Sequence, residues 1–180
     1  MTPLLAGVDI STIRIDVALI PLDPRAEPFT ICRNHQLKRY AERGDDPETR
    51  LLRALRLSRG IMRGLFEDCN VVECALERPI TPGKSMATAG PPLNRVLGAL
   101  TAAIPVAVNV VWLSPHDWRR ELAATNLNSK PSGHDAVRQY PEAHAGGHLL
   151  DEHQLDALGL ALAWRSLLDR HRPSTFQEEE

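Results

Sequence analysis

The sequence contains no uninterrupted apolar run of about 18 residues, the length a transmembrane helix needs, so we expect no membrane span. Its start, MTPLLAGVDIS, has an early acidic residue and no basic segment, which argues against a signal peptide. The 3 cysteines are odd in number and lack CxxC spacing. This usage favours reduced thiols in a cytoplasmic protein.

A strong net charge is also absent, since 21 Lys and Arg against 23 Asp and Glu give −2 at pH 7. Any binding of nucleic acid must therefore depend on local basic patches. With 180 residues, of which 43% are apolar, the chain is long enough to bury one core. We expect one domain over residues 1–172, followed by a disordered acidic tail over residues 173–180.

Three strands are predicted in the first part of the chain. Leu4–Ile10 is a short apolar run with Asp9 near its end. The alternation of apolar and polar residues that follows, from position 13 to position 19, indicates a strand with one buried face. Within it, Asp16 is expected to be an exposed strand residue rather than a ligand. Phe29–Leu37 completes a predicted antiparallel meander.

A helix is predicted from Asp46 or Pro47 to about Phe66, because its apolar residues have helical spacing. Its other face carries a row of arginines, namely Arg50, Arg53, Arg56, Arg59 and Arg63. A solvated outer face is the favoured interpretation of this row. A surface that contacts phosphates is the alternative.

The remaining part of the chain alternates between short strands, helices and polar loops. The predicted elements are strand Val71–Glu77, a small-residue helix within Met86–Ile104, strand Val106–Leu113, a short helix capped by Ser114 and Asp117, polar loop Asn126–Gly133, helix His134–Tyr140 and linker Pro141–His148. Trp112, Trp118 and Trp164 are expected to be buried or partly buried.

The last predicted helix, Leu150–Arg170, is apolar on nearly every side and is therefore expected to be buried. Small residues along it would let it lie close to a sheet. Its first turn carries the carboxylates of Asp151, Glu152 and Asp156 together with His153. His153 and Asp156 are three positions apart, which places them on one helix face, an arrangement suited to holding a hard cation.

These elements predict an α/β fold with a mixed five-stranded sheet, three antiparallel strands followed by βαβ units, flanked by helices. Asp9 and Glu77 each end a strand. If those two strands are neighbours, both carboxylates lie on one rim of the sheet, within reach of the polar start of the last helix.

The arrangement resembles the ribonuclease H-like superfamily and, within it, the RuvC-type Holliday-junction resolvases. The matching segments are GVDIS at 7–11, ALERP at 75–79 and HQLDALGLAL at 153–162, and the agreement in element order extends over residues 4–170. The sequence departs from the family where Ile10 and Ser11 replace the usual Pro-Gly turn.

The resemblance implies an endodeoxyribonuclease that cuts four-way (Holliday) DNA junctions by paired symmetric nicks and works as a homodimer. It also implies a two-metal mechanism with Mg²⁺, or Mn²⁺ as a substitute, and two ions per site. Asp9 would bridge both ions, Glu77 would hold one, and Asp156 with His153 the other. Asp151 and Glu152 are reserve ligands, although favourable interaction with the helix dipole is the preferred interpretation of both.

The resemblance further implies DNA contacts from the loop after Glu77 and from the region after the fifth strand. Ile80 is the candidate for a residue that inserts into the junction, and Lys84 and Lys130 are the candidate basic residues near the scissile phosphate. Ordinary surface lysines remain an equal alternative for the last two.

Other functions stay open. A nuclease of the same fold could act on flaps or replication forks, and a catalytically silent member could bind DNA without cutting it. The segment GVDIST also resembles the phosphate loop of actin-like kinases and ATPases, but those folds need a second domain of similar design. A zinc site at His144, His148 and His153 is disfavoured because cysteine partners are lacking.

Overall fold

In a computed structural model, residues 2–11, 14–36, 44, 46–78, 90–145, 147 and 149–171 are described. The loop that carries Ile80 and Lys84, the first part of the predicted small-residue helix and the acidic tail lie outside these residues. Within the described part of the chain, no helix is both long enough and apolar enough to cross a membrane.

The sheet has five strands in the order β3-β2-β1-β4-β5. The strands are β1 (Leu4–Ile10), β2 (Arg14–Pro21), β3 (Ile31–Gln36), β4 (Val71–Glu77) and β5 (Asn109–Leu113). β2 pairs antiparallel with β1 and β3, whereas β1, β4 and β5 run parallel to one another. The predicted mixed sheet is confirmed, and β1 and β4 are indeed neighbours.

Among the described residues, five α-helices accompany the sheet: α1 (Pro47–Asp68), α2 (Gly90–Thr101), α3 (Pro115–Glu121), α4 (Lys130–Val137) and α5 (Glu152–His171). Asp46 caps α1 by accepting the N–H groups of Glu48 and Thr49. Ser114 and Asp117 form the predicted capping box of α3. These local hydrogen bonds explain why the helix starts were readable from sequence.

The prediction that residues 126–133 form a polar loop is wrong in its second half. Lys130 begins α4, because Ser129 accepts the N–H of Ser132 and Pro131 suits the first helical turn. The predicted linker after this helix contains a short 3₁₀ helix, Pro141–Ala143. β5 begins later than predicted, since Val106 is fully exposed and lies within a turn closed by the hydrogen bond from the Val108 N–H to the Pro105 carbonyl.

Two hydrophobic cores lie on opposite faces of the sheet. On one face, Val8 and Leu76 pack with Met62 of α1 and Leu100 of α2. On the other face, the alternate strand residues pack against α3, α4 and α5. The period of two in the strands sends every second side chain toward α5, and Asp9 is among them.

Gly7 sets the close approach of α5 to β1. A Cβ at this position would lie 2.0 Å from the carbonyl oxygen of Ala157 and 3.0 Å from the Cβ of Ala161. Gly159, by contrast, faces the ring of Trp118 on α3 rather than the sheet. The small residues of α5 therefore serve two neighbours, the sheet and α3, and only the first was predicted.

The predicted burial of the tryptophans is confirmed. Trp118 is 1% exposed, and Trp112 and Trp164 are partly buried. The Trp164 indole N–H donates to Glu73 on β4.

Candidate metal centre

The site begins at the ends of two parallel strands. Asp9 lies near the end of β1 and Glu77 ends β4, and because the strands are parallel neighbours, both carboxylates reach the same edge of the sheet. Asp9 is 7% exposed, and Glu77 is partly buried. This is the shared rim that the sequence predicted.

The first turn of α5 completes the site. Asp151 precedes the helix, and its Oδ1 accepts the N–H groups of His153 and Gln154 at 3.0 Å each. Nδ1 of His153 lies 2.8 Å from Oδ2 of Asp9. The two side chains therefore lie within hydrogen-bond distance of each other.

Three side chains meet the geometric requirement for a metal site. Asp9, His153 and Asp156 each offer one ligand atom, and these atoms all lie within 4.8 Å of one another. Two carboxylates and one imidazole form a donor set that suits Mg²⁺ or Mn²⁺ better than a soft metal.

Asp156 is held from the opposite side by α4. Its Oδ2 lies 2.7 Å from Nζ of Lys130, and its Oδ1 lies 3.0 Å from Nε2 of His134. Burial acts to raise the pKa of Asp156, but the hydrogen bonds from His134 and Lys130 outweigh it and hold this pKa below the usual range. Asp156 is therefore ionised although it is buried.

His134 was not predicted as a site residue. It is buried, and it lies four positions after Lys130, so both side chains project from one face of α4. The signal existed in the sequence, but placing Lys130 in a loop removed the helical spacing that connects the two residues.

Glu77 has a raised pKa, first because it is partly buried and then because carboxylates lie near it. Burial, followed by a hydrogen bond with Asp9 and the charges of Asp9 and Asp156, raises the pKa of Glu77 to about 9, against a small opposing effect of Lys130. Among the described residues, the mutually close ligand group does not include Glu77. Glu77 thus contacts Asp9 and forms the margin of the site.

Asp16 corrects a prediction. It is 1% exposed rather than exposed, because it lies directly opposite Asp9 on β2 and shares its α5-facing side. Arg14 neutralises it through two contacts of 2.5 Å, and the same guanidinium lies 2.6 Å from Asp151. The alternation along a strand shows which face a residue such as Asp16 lies on, but it does not show that a guanidinium pairs with its carboxylate.

The other predicted site residues differ in whether they lie at the metal centre. Lys130 is at the site, whereas Glu152 is exposed and outside the ligand group. His144 is exposed and lies 2.7 Å from the carbonyl oxygen of Arg138 rather than near His153. His148, Ile80 and Lys84 lie outside the described residues, so their roles stay predictions.

The arginine row on α1 lies largely at the surface. Arg50, Arg56, Arg59 and Arg63 are exposed, and Arg53 is half-buried. Arg63 pairs with Glu67 at 2.6 Å. The outer-face interpretation is confirmed, and contact with phosphates stays a prediction.

Neither a protein-family model nor a curated protein matches the sequence. Solved structures do match. RuvC of Thermus thermophilus in complex with a Holliday junction substrate superposes with a TM-score of 0.71 at 15% identity, covering 93% of this chain and 96% of that one. A second T. thermophilus RuvC structure gives 0.66 at 16% identity with the same coverage.

The yeast mitochondrial Holliday junction resolvase Ydc2 gives a TM-score of 0.58 at 15% identity, covering 93% of this chain and 81% of that one. The chain therefore has the ribonuclease H-like fold of the RuvC-type resolvases over almost its full length. At this level of identity the likeness concerns the fold, and the chemistry depends on the site.

Proposed function

We propose that this protein is a metal-dependent endodeoxyribonuclease that cuts branched DNA, with four-way junctions as its main substrate. The observation that carries the proposal is the group of Asp9, His153 and Asp156 at the sheet edge, with ligand atoms within 4.8 Å of one another. The fold supports the choice of substrate, since a protein of similar fold has been solved in complex with a Holliday junction substrate.

The residues present fit a divalent cation. The carboxylates of Asp9 and Asp156 and the imidazole of His153 converge, and they offer the hard oxygen and nitrogen donors that such a cation binds. Asp9, His153 and Asp156 would hold the metal, with Glu77 beside Asp9. When bound, Mg²⁺ supplies Lewis-acid stabilisation for the negative charge that builds up on a phosphate during hydrolysis.

The protein's own groups prepare this site in four ways. His134 orients Asp156, and the N–H groups at the start of α5 fix Asp151 next to His153. Burial of Asp9 and Asp156 excludes water, which strengthens electrostatic interactions with a cation and a phosphate. Lys130 is 42% exposed, so it can leave Asp156 and contact a phosphate oxygen of the DNA.

Paired cuts require two copies of the site. One chain carries one group of this kind among its described residues, so we propose a C₂ homodimer that presents two sites to one junction. Within this dimer, we propose that α1, which carries the arginine row, contacts phosphates and that the small-residue helix within Met86–Ile104, which contains α2, makes the self-contact.

The test compares labelled four-way junction, flap, fork, duplex and single-stranded DNA, each incubated in Mg²⁺ and in EDTA. We expect symmetric paired nicks in the four-way junction in Mg²⁺ and intact DNA in EDTA. Preferential cutting of flaps or forks would establish the alternative nuclease activity. Tight junction binding with no cutting in either condition would establish a silent DNA-binding protein.

A further inference from the structure

Arg14 connects two carboxylates that belong to different elements beside the metal centre. Its Nε and Nη2 lie 2.5 Å from the two oxygens of Asp16 on β2, and Nη2 also lies 2.6 Å from Oδ2 of Asp151, before α5. We propose that these three residues form a clamp that positions His153 against Asp9 and thereby sets the affinity for the metal. This inference rests on the proposed metal-dependent function.

On the strand side, the clamp is anchored in the turn between β1 and β2. Ser11 accepts the Arg14 N–H through Oγ, and both its own N–H and its hydroxyl donate to the Arg14 carbonyl. Asp16 lies opposite Asp9, so an unpaired Asp16 would place another negative charge within the same buried region. The forked contact from Arg14 neutralises this charge and fixes the direction of the guanidinium.

On the helix side, Asp151 uses its two carboxylate oxygens for different tasks. Oδ1 accepts the N–H groups of His153 and Gln154, while Oδ2 faces Arg14. The Gln154 side chain in turn accepts the Asp151 N–H at 3.0 Å. The residue that caps α5 is thus the same residue that ties this helix to β2.

The two constraints act at different points along α5. The close approach of Ala157 to Gly7 sets how near the helix lies to β1, and the clamp limits how its first turn can slide along β2. His153 lies between these points, two positions after Asp151. Loss of the clamp should therefore change the distance between His153 and Asp9, on which shared metal binding depends.

The test measures Mn²⁺ binding by electron paramagnetic resonance in the absence of DNA, together with the Tm in EDTA. Arg14→Lys keeps the charge but loses the forked geometry. The double variant Arg14→Gln with Asp16→Asn removes the clamp without changing the net charge and leaves no unpaired buried carboxylate. For both, we expect the Kd for Mn²⁺ to increase on the order of tenfold, as for other residues that orient metal ligands.

The single variant Arg14→Gln removes the positive charge of Arg14. It distinguishes an effect of the clamp on Mn²⁺ binding from a purely electrostatic effect of that charge. Loss of a positive charge near a cation site should tighten Mn²⁺ binding if the charge alone matters, and weaken it if the clamp matters. The control is Asp135→Asn, which breaks an exposed ion pair between Asp135 on α4 and Arg138, the residue after that helix. Its Kd should equal that of the wild-type protein.

Unchanged or tighter Mn²⁺ binding in the double variant would overturn the clamp, and so would a lower Tm with an unaltered Kd. If Arg14→Lys does not fold, the Kd for Mn²⁺ of the double variant decides whether the clamp sets the metal affinity. The proposed function fails by a different result, namely a wild-type protein that binds no Mn²⁺ or whose binding survives Asp9→Asn.

Discussion

Oδ2 of Asp9 and Nδ1 of His153 lie 2.8 Å apart, although the two residues are separated by 144 positions in the chain. The contact joins the end of a central strand to the first turn of the last helix. Close packing of α5 on Gly7 holds this helix against the strand that carries Asp9.

Replacing Asp9 by Asn should abolish cleavage while leaving the fold and the binding of junction DNA intact. A neutral amide is a poor ligand for a divalent cation, and loss of several kcal/mol of charge stabilisation corresponds to a decrease in rate on the order of 10²–10³-fold. The measurement is single-turnover cleavage of a four-way junction. Asp135→Asn, the same chemical change at an exposed position, should cut at the wild-type rate. Near-normal cleavage by Asp9→Asn would refute the site assignment.

Cleavage should occur with Mg²⁺ or Mn²⁺ and fail with Ca²⁺. Ca²⁺ takes more ligands at longer distances and with looser geometry, so the small group of Asp9, His153 and Asp156 should hold it without supporting catalysis. The check is cleavage in each metal after exhaustive chelation, with junction binding measured in parallel. Full activity in EDTA would contradict the prediction.

The metal-free protein should lose stability as the pH rises, because of Glu77. Burial and the neighbouring Asp9 raise its pKa from 4.5 to about 9, so the folded state favours the protonated form. This contribution to the free energy of unfolding is complete below the unfolded pKa and is lost as the pH rises through the folded pKa.

Thermal unfolding in EDTA from about pH 5 to about pH 9 tests this sign. The Tm of the wild-type protein should fall more steeply than that of Glu77→Gln, which cannot ionise. Glu67→Gln, at an exposed position on α1, is the matched control and should follow the wild-type slope. Parallel curves for wild type and Glu77→Gln would show that Glu77 titrates normally.

Gly7→Ala should destabilise the protein by about 1–3 kcal/mol, because the added methyl group would overlap the backbone of α5. Gly60→Ala is the matched control, since a Cβ there meets no atom within 4 Å. In the middle of α1, that change should stabilise by about 0.5–1 kcal/mol through helix propensity. Chemical denaturation measures both. Equal effects of the two substitutions would contradict the close approach at Gly7.

The protein should be a dimer in solution, with a mass of about twice 20.0 kDa by light scattering at micromolar concentration. On a cruciform plasmid, both opposed strands should be nicked within one binding event. The physical reason is that symmetric cuts need two metal centres related by a two-fold axis. A monomer, free and DNA-bound, that nicks one strand would favour the flap nuclease.

Local patterns determined most of the secondary structure. The apolar run of β4 predicted Val71–Glu77 with its observed bounds. Ser114 and Asp117 marked the start of α3 because capping hydrogen bonds form between near neighbours in sequence. The predicted loop position of Lys130 is wrong because the Ser129 cap and Pro131 start α4 at this residue.

The sequence by itself determined the order of elements, the mixed sheet and the four residues Asp9, Glu77, His153 and Asp156 as candidates, because periodicity and strand ends are local properties. Only the tertiary structure decided which of them meet. It placed Asp9, His153 and Asp156 within 4.8 Å, left Glu77 at the margin, buried Asp16 under Arg14 and brought His134 onto Asp156. These relations depend on how closely α5 packs against Gly7 and on where α4 begins. Such contacts join residues far apart in the chain, and no short sequence period encodes them.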